Sequence, residues 1–244
     1  MAEKDHLISV DMGGTSLDVS LIRRGEIPMT TESWVGDERV AIKMVDVRSA
    51  GAGGGSIAWV DSLGLLRVGP QSAGAEPGPA CYGKGGEEPT VTDADLLLGY
   101  VPSDYFLGGE MPLDMELARR AVQKVAQRLG METLQAAQAV YTTVNSFMAD
   151  SIGEISTQRG YDPRDFALVV GGGAGPVHGV AIAECLGIST VIIPDLQPCT
   201  VRLACLPWTL VGITPAPISA GWISWTSTMS TGSTKRWKRR PGLP

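Results

Sequence analysis

Asp11 and Asp18 enclose the run Met12-Gly13-Gly14-Thr15-Ser16-Leu17. One carboxylate closes an apolar run and the other opens the next. Gly13 and Gly14 place no side chain in the way of an approaching phosphate, and Thr15 and Ser16 add hydroxyl donors. Backbone N–H groups of such a turn form an anion-binding nest. Mg2+ prefers few carboxylates together with phosphate oxygens, so Asp11 and Asp18 are candidates to hold it directly or through water. The alternative is a plain hairpin with a solvated Asp at each end.

A second glycine run, Gly171-Gly172-Gly173-Ala174-Gly175-Pro176, follows the apolar stretch Phe166 to Val170. Strand, glycine loop and helix start is a generic nucleotide-binding arrangement, because N–H donors and the helix dipole face the ligand. Pro176 breaks the G-x-G-x-x-G pattern, and the Lys of a P-loop is absent, so a dinucleotide fold is weakly supported. The competing reading is close strand–helix packing. A third run, Gly51-Ala52-Gly53-Gly54-Gly55-Ser56, would line a cleft or make a bulge. His178 lies one turn into the helix after the second run; a lone His is more often structural than catalytic. Cys81 sits in a Gly/Pro-rich loop without a partner base, and no His/Cys spacing suggests zinc.

The elements that must position these residues are legible as pattern. His6 to Met12 and Leu17 to Ile22 read as two strands of a hairpin. Val40 to Val47 alternates and reads as another strand. Ser56 to Val60 and Leu65 to Val68 form a second hairpin around Asp61 to Gly64. Gly69 to Gly86 is a long Gly/Pro-rich loop, of the kind that is functional or packed on a neighbour. Thr90 to Gly99 opens a helix with Thr92 or Asp93 as N-cap. Asp114 to Leu129 and Glu132 to Gln158 are helices separated by Gly130. The strand Phe166 to Val170, a helix from Pro176 to Leu186 and the strand Thr190 to Ile193 complete an α/β or α+β plan with a mixed sheet.

Composition narrows the function classes. The chain has 244 residues, enough for one large domain, and its 31 glycines are clustered rather than periodic, which excludes collagen. Mean hydropathy is near zero, which excludes a many-span membrane protein. Met1 to His6 carries charge and no apolar region, so no secretory signal is expected there. Four cysteines without a C-x-x-C pair point to a reduced, cytoplasmic chain. Up to Asp195 there are 14 basic and 26 acidic residues, an acidic body that argues against nucleic-acid binding.

Five stretches together resemble the hydantoinase A / 5-oxoprolinase / acetone carboxylase family: Asp11–Ile22, Ala50–Asp61, Leu66–Gly86, Glu88–Gly99 and Arg159–Gly179. The likeness runs from Asp5 to Pro194. It implies a lobe of the actin-like ATPase (ribonuclease H-like) fold, a mixed sheet with flanking helices, over residues 1–195. It further implies ATP and Mg2+ as cofactors and a cyclic amide or a ketone as substrate. The activity implied is ATP-dependent ring opening, by phosphoryl transfer to a carbonyl-derived oxygen. On this resemblance Asp11 and Asp18 handle Mg2+ or the attacking oxygen, with Asp11 as the metal residue. Gly13, Gly14 and Thr15 cradle phosphate. Gly53 and Gly54 line the cleft, and Gly172, Gly173 and Gly175 approach the nucleoside. A hydantoinase B-type subunit is the expected partner. Family members carry a further lobe ahead of this region, so a lone lobe that only packs against a partner is the alternative. A ketone carboxylase subunit and a small-molecule kinase on the same superfold are further alternatives. Arg48 stands where the family often has His.

From Leu196 the character changes: six basic residues, no acid, and four of the six tryptophans. The family continues there with a small-residue helix and acidic segments. Codons written for Trp222 to Lys238 and read two bases out of frame give DLVDVDDVNGLNEALE, an ordinary acidic helix. Leu196 to Pro244 is therefore expected to be a frame-shifted tail without evolved function. The basic run Lys235 to Arg240 is expected to share that origin rather than to bind nucleic acid. The gene sequence decides this.

Overall fold

The structure, a computed structural model, describes residues 5–31, 33–35 and 38–194. The expected tail, Leu196 to Pro244, lies outside the described residues.

Strands β1 (His6–Met12) and β2 (Leu17–Arg23) form the antiparallel hairpin that the two apolar runs predict. Side chains alternate across a strand. Ile8, Val10 and Met12 therefore share one face with Leu17, Val19 and Leu21, and all six are buried. Burying such a side chain is worth about 1.5–3 kcal/mol. A slip of one residue would turn the whole set outward, so the pattern fixes the register. The other face carries Ser9, Asp11, Asp18 and Ser20. Asp11 stands directly opposite Asp18, and Ser9 opposite Ser20.

Five short strands follow: β3 (Met29–Thr30), β4 (Ser33–Val35), β5 (Glu38–Val40), β6 (Met44–Val45) and β7 (Arg48–Ala50). The single strand predicted over Val40 to Val47 does not form. Residues 41–44 are exposed, so their alternating pattern has no sheet against which to bury a face. The chain makes two small antiparallel pairs instead, β3 with β6 and β4 with β5. Asp46 is tied to Arg159 by an ion pair, and its carbonyl accepts from Ser20 Oγ at 3.2 Å. That anchor delivers β7 to the sheet edge beside β2.

The second hairpin is formed by β8 (Ser56–Val60) and β9 (Leu66–Ser72), with β9 running past its apolar pattern through Pro70. Its turn is organised by Asp61, whose Oδ1 accepts from the N–H groups of Leu63 and Leu65, each at 2.9 Å. The Leu65 N–H and the Arg67 guanidinium hold the Asp61 carboxyl below the usual carboxylate range.

Helix α1 (Val91–Leu97) is capped by Thr90, not by Thr92 or Asp93. The Thr90 hydroxyl accepts from Asp93 N–H, and the Asp93 carboxylate accepts from Thr90 N–H at 2.9 Å, a capping box. Asp93 is fully buried and also takes the N–H groups of Ala80 and Cys81 at 3.3 and 2.8 Å. The long Gly/Pro-rich loop is thereby folded back onto α1. Helix α2 (Met115–Leu129) starts at Asp114, whose Oδ1 accepts from Glu116 and Leu117, and stops at Gly130 in the left-handed conformation (φ 65°). Helix α3 (Thr133–Gln158) runs beneath the sheet.

β10 (Ala167–Gly171), α4 (Gly175–Leu186) and β11 (Val191–Ile192) form the predicted strand–helix–strand unit. The main sheet has the order β11-β10-β1-β2-β7, parallel from β11 to β1 and antiparallel from β1 to β7. Val140, Val144, Met148 and Ile152 of α3 and Ile182 of α4 join its apolar face in one core. The plan is mixed α/β, with a mixed sheet and flanking helices, as the sequence predicts. Among the described residues no helix is long and apolar enough to cross a membrane.

Candidate functional site

The three glycine-rich runs meet at one end of the sheet, beyond the carboxyl ends of the parallel strands β1 and β10. Open α/β sheets bind ligands at that end. The β1–β2 turn is closed by Gly13 N–H donating to Ser16 O at 3.0 Å. Gly14 and Thr15 are exposed at its tip, and Gly13 is half-buried.

The run at 51–55 lies directly beneath this turn. Gly54 and Gly55 N–H donate to Gly13 O and Gly14 O at 3.0 and 2.6 Å. A Cβ on Gly53 would stand 2.6 Å from both Gly14 C and Thr15 N, and one on Gly54 would stand 2.8 Å from Thr92 Oγ1. Gly53 and Gly54 are buried. The sequence expects them to face a ligand; the structure places Gly14, Thr15 and Thr92 against them. Their missing side chains let two backbones stack closely enough to hydrogen-bond. Thr92 completes the support, since both its N–H and its hydroxyl donate to Gly54 O at 2.8 Å.

On the other side, the β10–α4 loop presses against the end of β1. Gly172 adopts φ 81°, and a Cβ there would overlap Met12 O and Asp11 Oδ1. Ala174 N–H donates to Met12 O at 3.1 Å. Gly175 is buried, with its missing Cβ 3.0 Å from Val170 Cγ1. Gly173 is exposed, with nothing within 4 Å of its Cβ position. Of the three glycines expected at a nucleoside, Gly172 and Gly175 serve close packing, and Gly173 lies open.

Asp11 and Asp18 are half-buried neighbours on one face of the hairpin. Asp18 Oδ1 accepts a hydrogen bond from Ser49 Oγ on β7, and Ser49 is directly opposite Asp18 in the ladder. Ser49 and Thr92 carry no sequence signal as site residues, because each is brought in by a contact distant in sequence. Among the described residues no group of three or more His, Cys, Asp or Glu forms a metal cage. Two carboxylates beside an open glycine turn and the N-terminus of α4 suit a magnesium ion that arrives with phosphate oxygens.

His178 and Cys81 lie apart from this surface. His178 is fully buried, its ring between Asn145 Oδ1 at 3.0 Å and Asp95 Oδ2 at 3.2 Å. Cys81 is buried too, and burial together with the adjacent Asp93 charge pushes its thiol far up, away from the nucleophilic thiolate. Asp95 carries a sequence signal: a carboxylate set between Ala94 and the apolar Leu96-Leu97-Leu98 needs a partner once that helix is buried.

Known proteins are similar to this chain in sequence and in fold. The chain is 48% identical over 193 residues to the caprolactamase subunit alpha of Pseudomonas jessenii, a match covering 79% of this chain and 28% of that protein. Its fold is similar to the crystal structure of the ATP-dependent caprolactamase from Pseudomonas jessenii, with a TM-score of 0.73 and 47% identity over 80% of this chain and 28% of that one. It is also similar to the nucleotide-free structure of acetone carboxylase, an ATP-dependent enzyme, with a TM-score of 0.72 and 34% identity over 78% of this chain and 27% of that one. The chain thus spans less than a third of the length of these relatives. The family profile described as hydantoinase/oxoprolinase matches residues 1–206, ending inside the stretch expected to be an atypical tail. Matched by that profile over residues 1–206 and 48% identical to the caprolactamase subunit over most of its own length, the chain belongs to the hydantoinase/oxoprolinase family.

Proposed function

We propose that residues 1–195 form an ATPase-like lobe that handles the phosphate end of Mg-ATP in a cyclic-amide hydrolase. The observation that carries this reading is the convergence of the glycine turns at 13–15 and 172–175 beside the opposed carboxylates of Asp11 and Asp18. Glycine turns offer N–H donors to phosphate, and a helix N-terminus adds favourable dipole. A hairpin, a glycine-bearing strand–helix turn and a mixed sheet in this order are consistent with a lobe of the actin-like ATPase fold.

ATP would supply its γ-phosphoryl group to the amide carbonyl oxygen, releasing ADP, so that water can attack the ring carbon, the C–N bond breaks and the phosphate departs with the transferred oxygen. The chain's own part is positioning and charge balance, which supply most of the catalysis in phosphoryl transfer. Asp11 holds the magnesium ion, with Asp18 placed to assist it or to orient the attacking oxygen. Ser49 fixes one Asp18 oxygen and leaves the other to work. Gly14 and Thr15 offer donors to phosphate, Gly13 closes the turn with its N–H on Ser16 O and adds no side chain to obstruct the approach, and Gly173 gives the nucleoside side an open approach. Gly53, Gly54, Gly172 and Gly175 hold these turns in place from behind.

The substrate class follows the caprolactamase likeness. The similarity to acetone carboxylase supports a second reading, activation of a ketone for carboxylation. The relatives named as subunits support a partner chain, for which a hydantoinase B-type subunit is the proposed candidate. Cytoplasmic residence is part of the same reading.

Titration calorimetry of this chain with Mg-ATP tests the proposal. Saturable binding is expected, weakened at least ~10-fold by Asp11→Asn, a loss of about 1.4 kcal/mol. No binding by the unaltered chain favours a lobe that only packs against a partner. Equal binding by the variant removes Asp11 from its role. In an intact relative the equivalent change should abolish ATP turnover, and a product assay separates ring opening from carboxylation and from a stable phosphorylated product.

A further inference from the structure

His178 joins two helices that have no reason, on packing alone, to share a polar contact in the core. It projects from α4, three residues after Gly175, and its Nε2 lies 3.2 Å from Asp95 Oδ2 on α1. Both side chains are almost completely buried. Its Nδ1 lies 3.0 Å from Asn145 Oδ1 on α3, while Asn145 Nδ2 donates to Tyr141 O at 2.8 Å, which sets the amide orientation. The Tyr141 ring stacks on the imidazole at 5.2 Å, and its hydroxyl donates to Val177 O at 3.1 Å. The imidazole is thus fixed from three sides. Asp95 Oδ1, in contrast, is buried without a hydrogen-bond partner. Leaving such an atom unpaired costs stability. An apolar pair would fill the space without that cost, so packing does not explain the choice of residues.

The two helices converge on the glycine junction. One turn before Asp95 on α1, Thr92 grips Gly54 O with both its N–H and its hydroxyl. One turn before His178 on α4, Ala174 donates to Met12 O, and its Cβ lies 3.5 Å from where a Gly54 Cβ would stand. Neither anchor touches the other through a hydrogen bond of its own. The Asp95–His178 bond closes the circuit behind them.

We infer that His178 and Asp95 are positioning residues that set the spacing between the α1 and α4 starts, and so hold the 51–55 and 172–175 runs against the β1–β2 turn. Neither touches the ligand surface; each acts through the helix it sits on. The affinity arm of the test rests on the nucleotide reading above, whereas the exchange arm does not.

Hydrogen exchange of the full chain reads the junction directly through the amides of Gly54, Gly55 and Ala174, which bond to Gly13, Gly14 and Met12. In His178→Gln these three amides should exchange at least ~10-fold faster, while the sheet amides of Val10 and Val19 keep their protection, the signature of local opening. Asp95→Asn keeps a hydrogen bond to the ring and should retain most of the protection; Asp95→Ala should not. This pair decides the matter if His178→Gln fails to fold. Mg-ATP affinity should fall with the same variants, and Thr92→Val combined with His178→Gln should lose less than the two separate losses predict, as expected of one coupled unit. Unchanged exchange at the three amides, or loss of protection equal to that of the sheet, overturns the inference. If the unaltered chain binds no Mg-ATP, the functional reading falls and the exchange data still decide this one.

Discussion

Gly172 and Asp11 are in direct contact across the ends of β10 and β1. A methyl group on Gly172 would fall on Asp11 Oδ1 and Met12 O. The glycine loop after β10 therefore sets the space in which the Asp11 carboxylate stands.

Gly172→Ala should accordingly damage both fold and site. The left-handed backbone at φ 81° alone costs a non-glycine residue of order 1–3 kcal/mol, and the overlap adds to it. Gly173→Ala meets nothing within 4 Å and should change stability by no more than about 0.5 kcal/mol. Urea denaturation of the two variants measures the contrast, and calorimetry with Mg-ATP should show binding weakened far more in the first.

Gly53→Ala should cost about 1–3 kcal/mol as an overpacked contact, because its Cβ would press on the Gly14–Thr15 peptide. Gly14→Ala adds its methyl to open space. It should leave stability within about 0.5 kcal/mol and still weaken phosphate binding by crowding the turn. Equal effects of the two substitutions on stability would contradict the stacked arrangement.

Cys81 and Cys185 should differ sharply in reactivity. Cys185 is exposed, whereas Cys81 is buried and kept protonated by burial and by the Asp93 charge. Iodoacetamide at pH 8 followed by peptide mapping should label Cys185 in the native chain and Cys81 only after unfolding.

Tyr141 should make the fold sensitive to alkali. Burial, then the neighbouring Tyr100 and Asp95, push its phenol up from 10 to about 12. The folded state therefore keeps a proton that the unfolded chain gives up. This stabilising effect is present below pH 10 and is lost as the pH rises towards 12. Tyr141→Phe should flatten that part of the stability profile measured by denaturation at successive pH values.

How far the site was legible depended on the range of the contacts that make it. The β1–β2 turn is local: two apolar runs, glycines between them, and a carboxylate at each end place Asp11 opposite Asp18 once the hairpin closes. The β10–α4 loop is local in the same way. Gly53 and Gly54 share the composition of those loops but lie underneath, because their neighbours Gly14 and Thr92 come from 38 residues or more away. The strand expected over Val40 to Val47 failed for a similar reason. Alternation states which side chains would share a face, not whether a partner sheet is there to cover it. At α1 the two threonines look alike in sequence; Thr90 caps because Asp93 stands three residues on, and Thr92 is taken by Gly54.

The sequence alone determined the hairpin, the long helices on either side of Gly130 and the mixed α/β plan, since each rests on periodicity and backbone chemistry within a few residues. Tertiary structure alone decided which glycines face outward, that Ser49 serves Asp18, and that His178 meets Asp95 across 83 positions of chain. Those pairings depend on how helices and sheet pack, and packing is settled by the fit of whole surfaces rather than by any short run of residues.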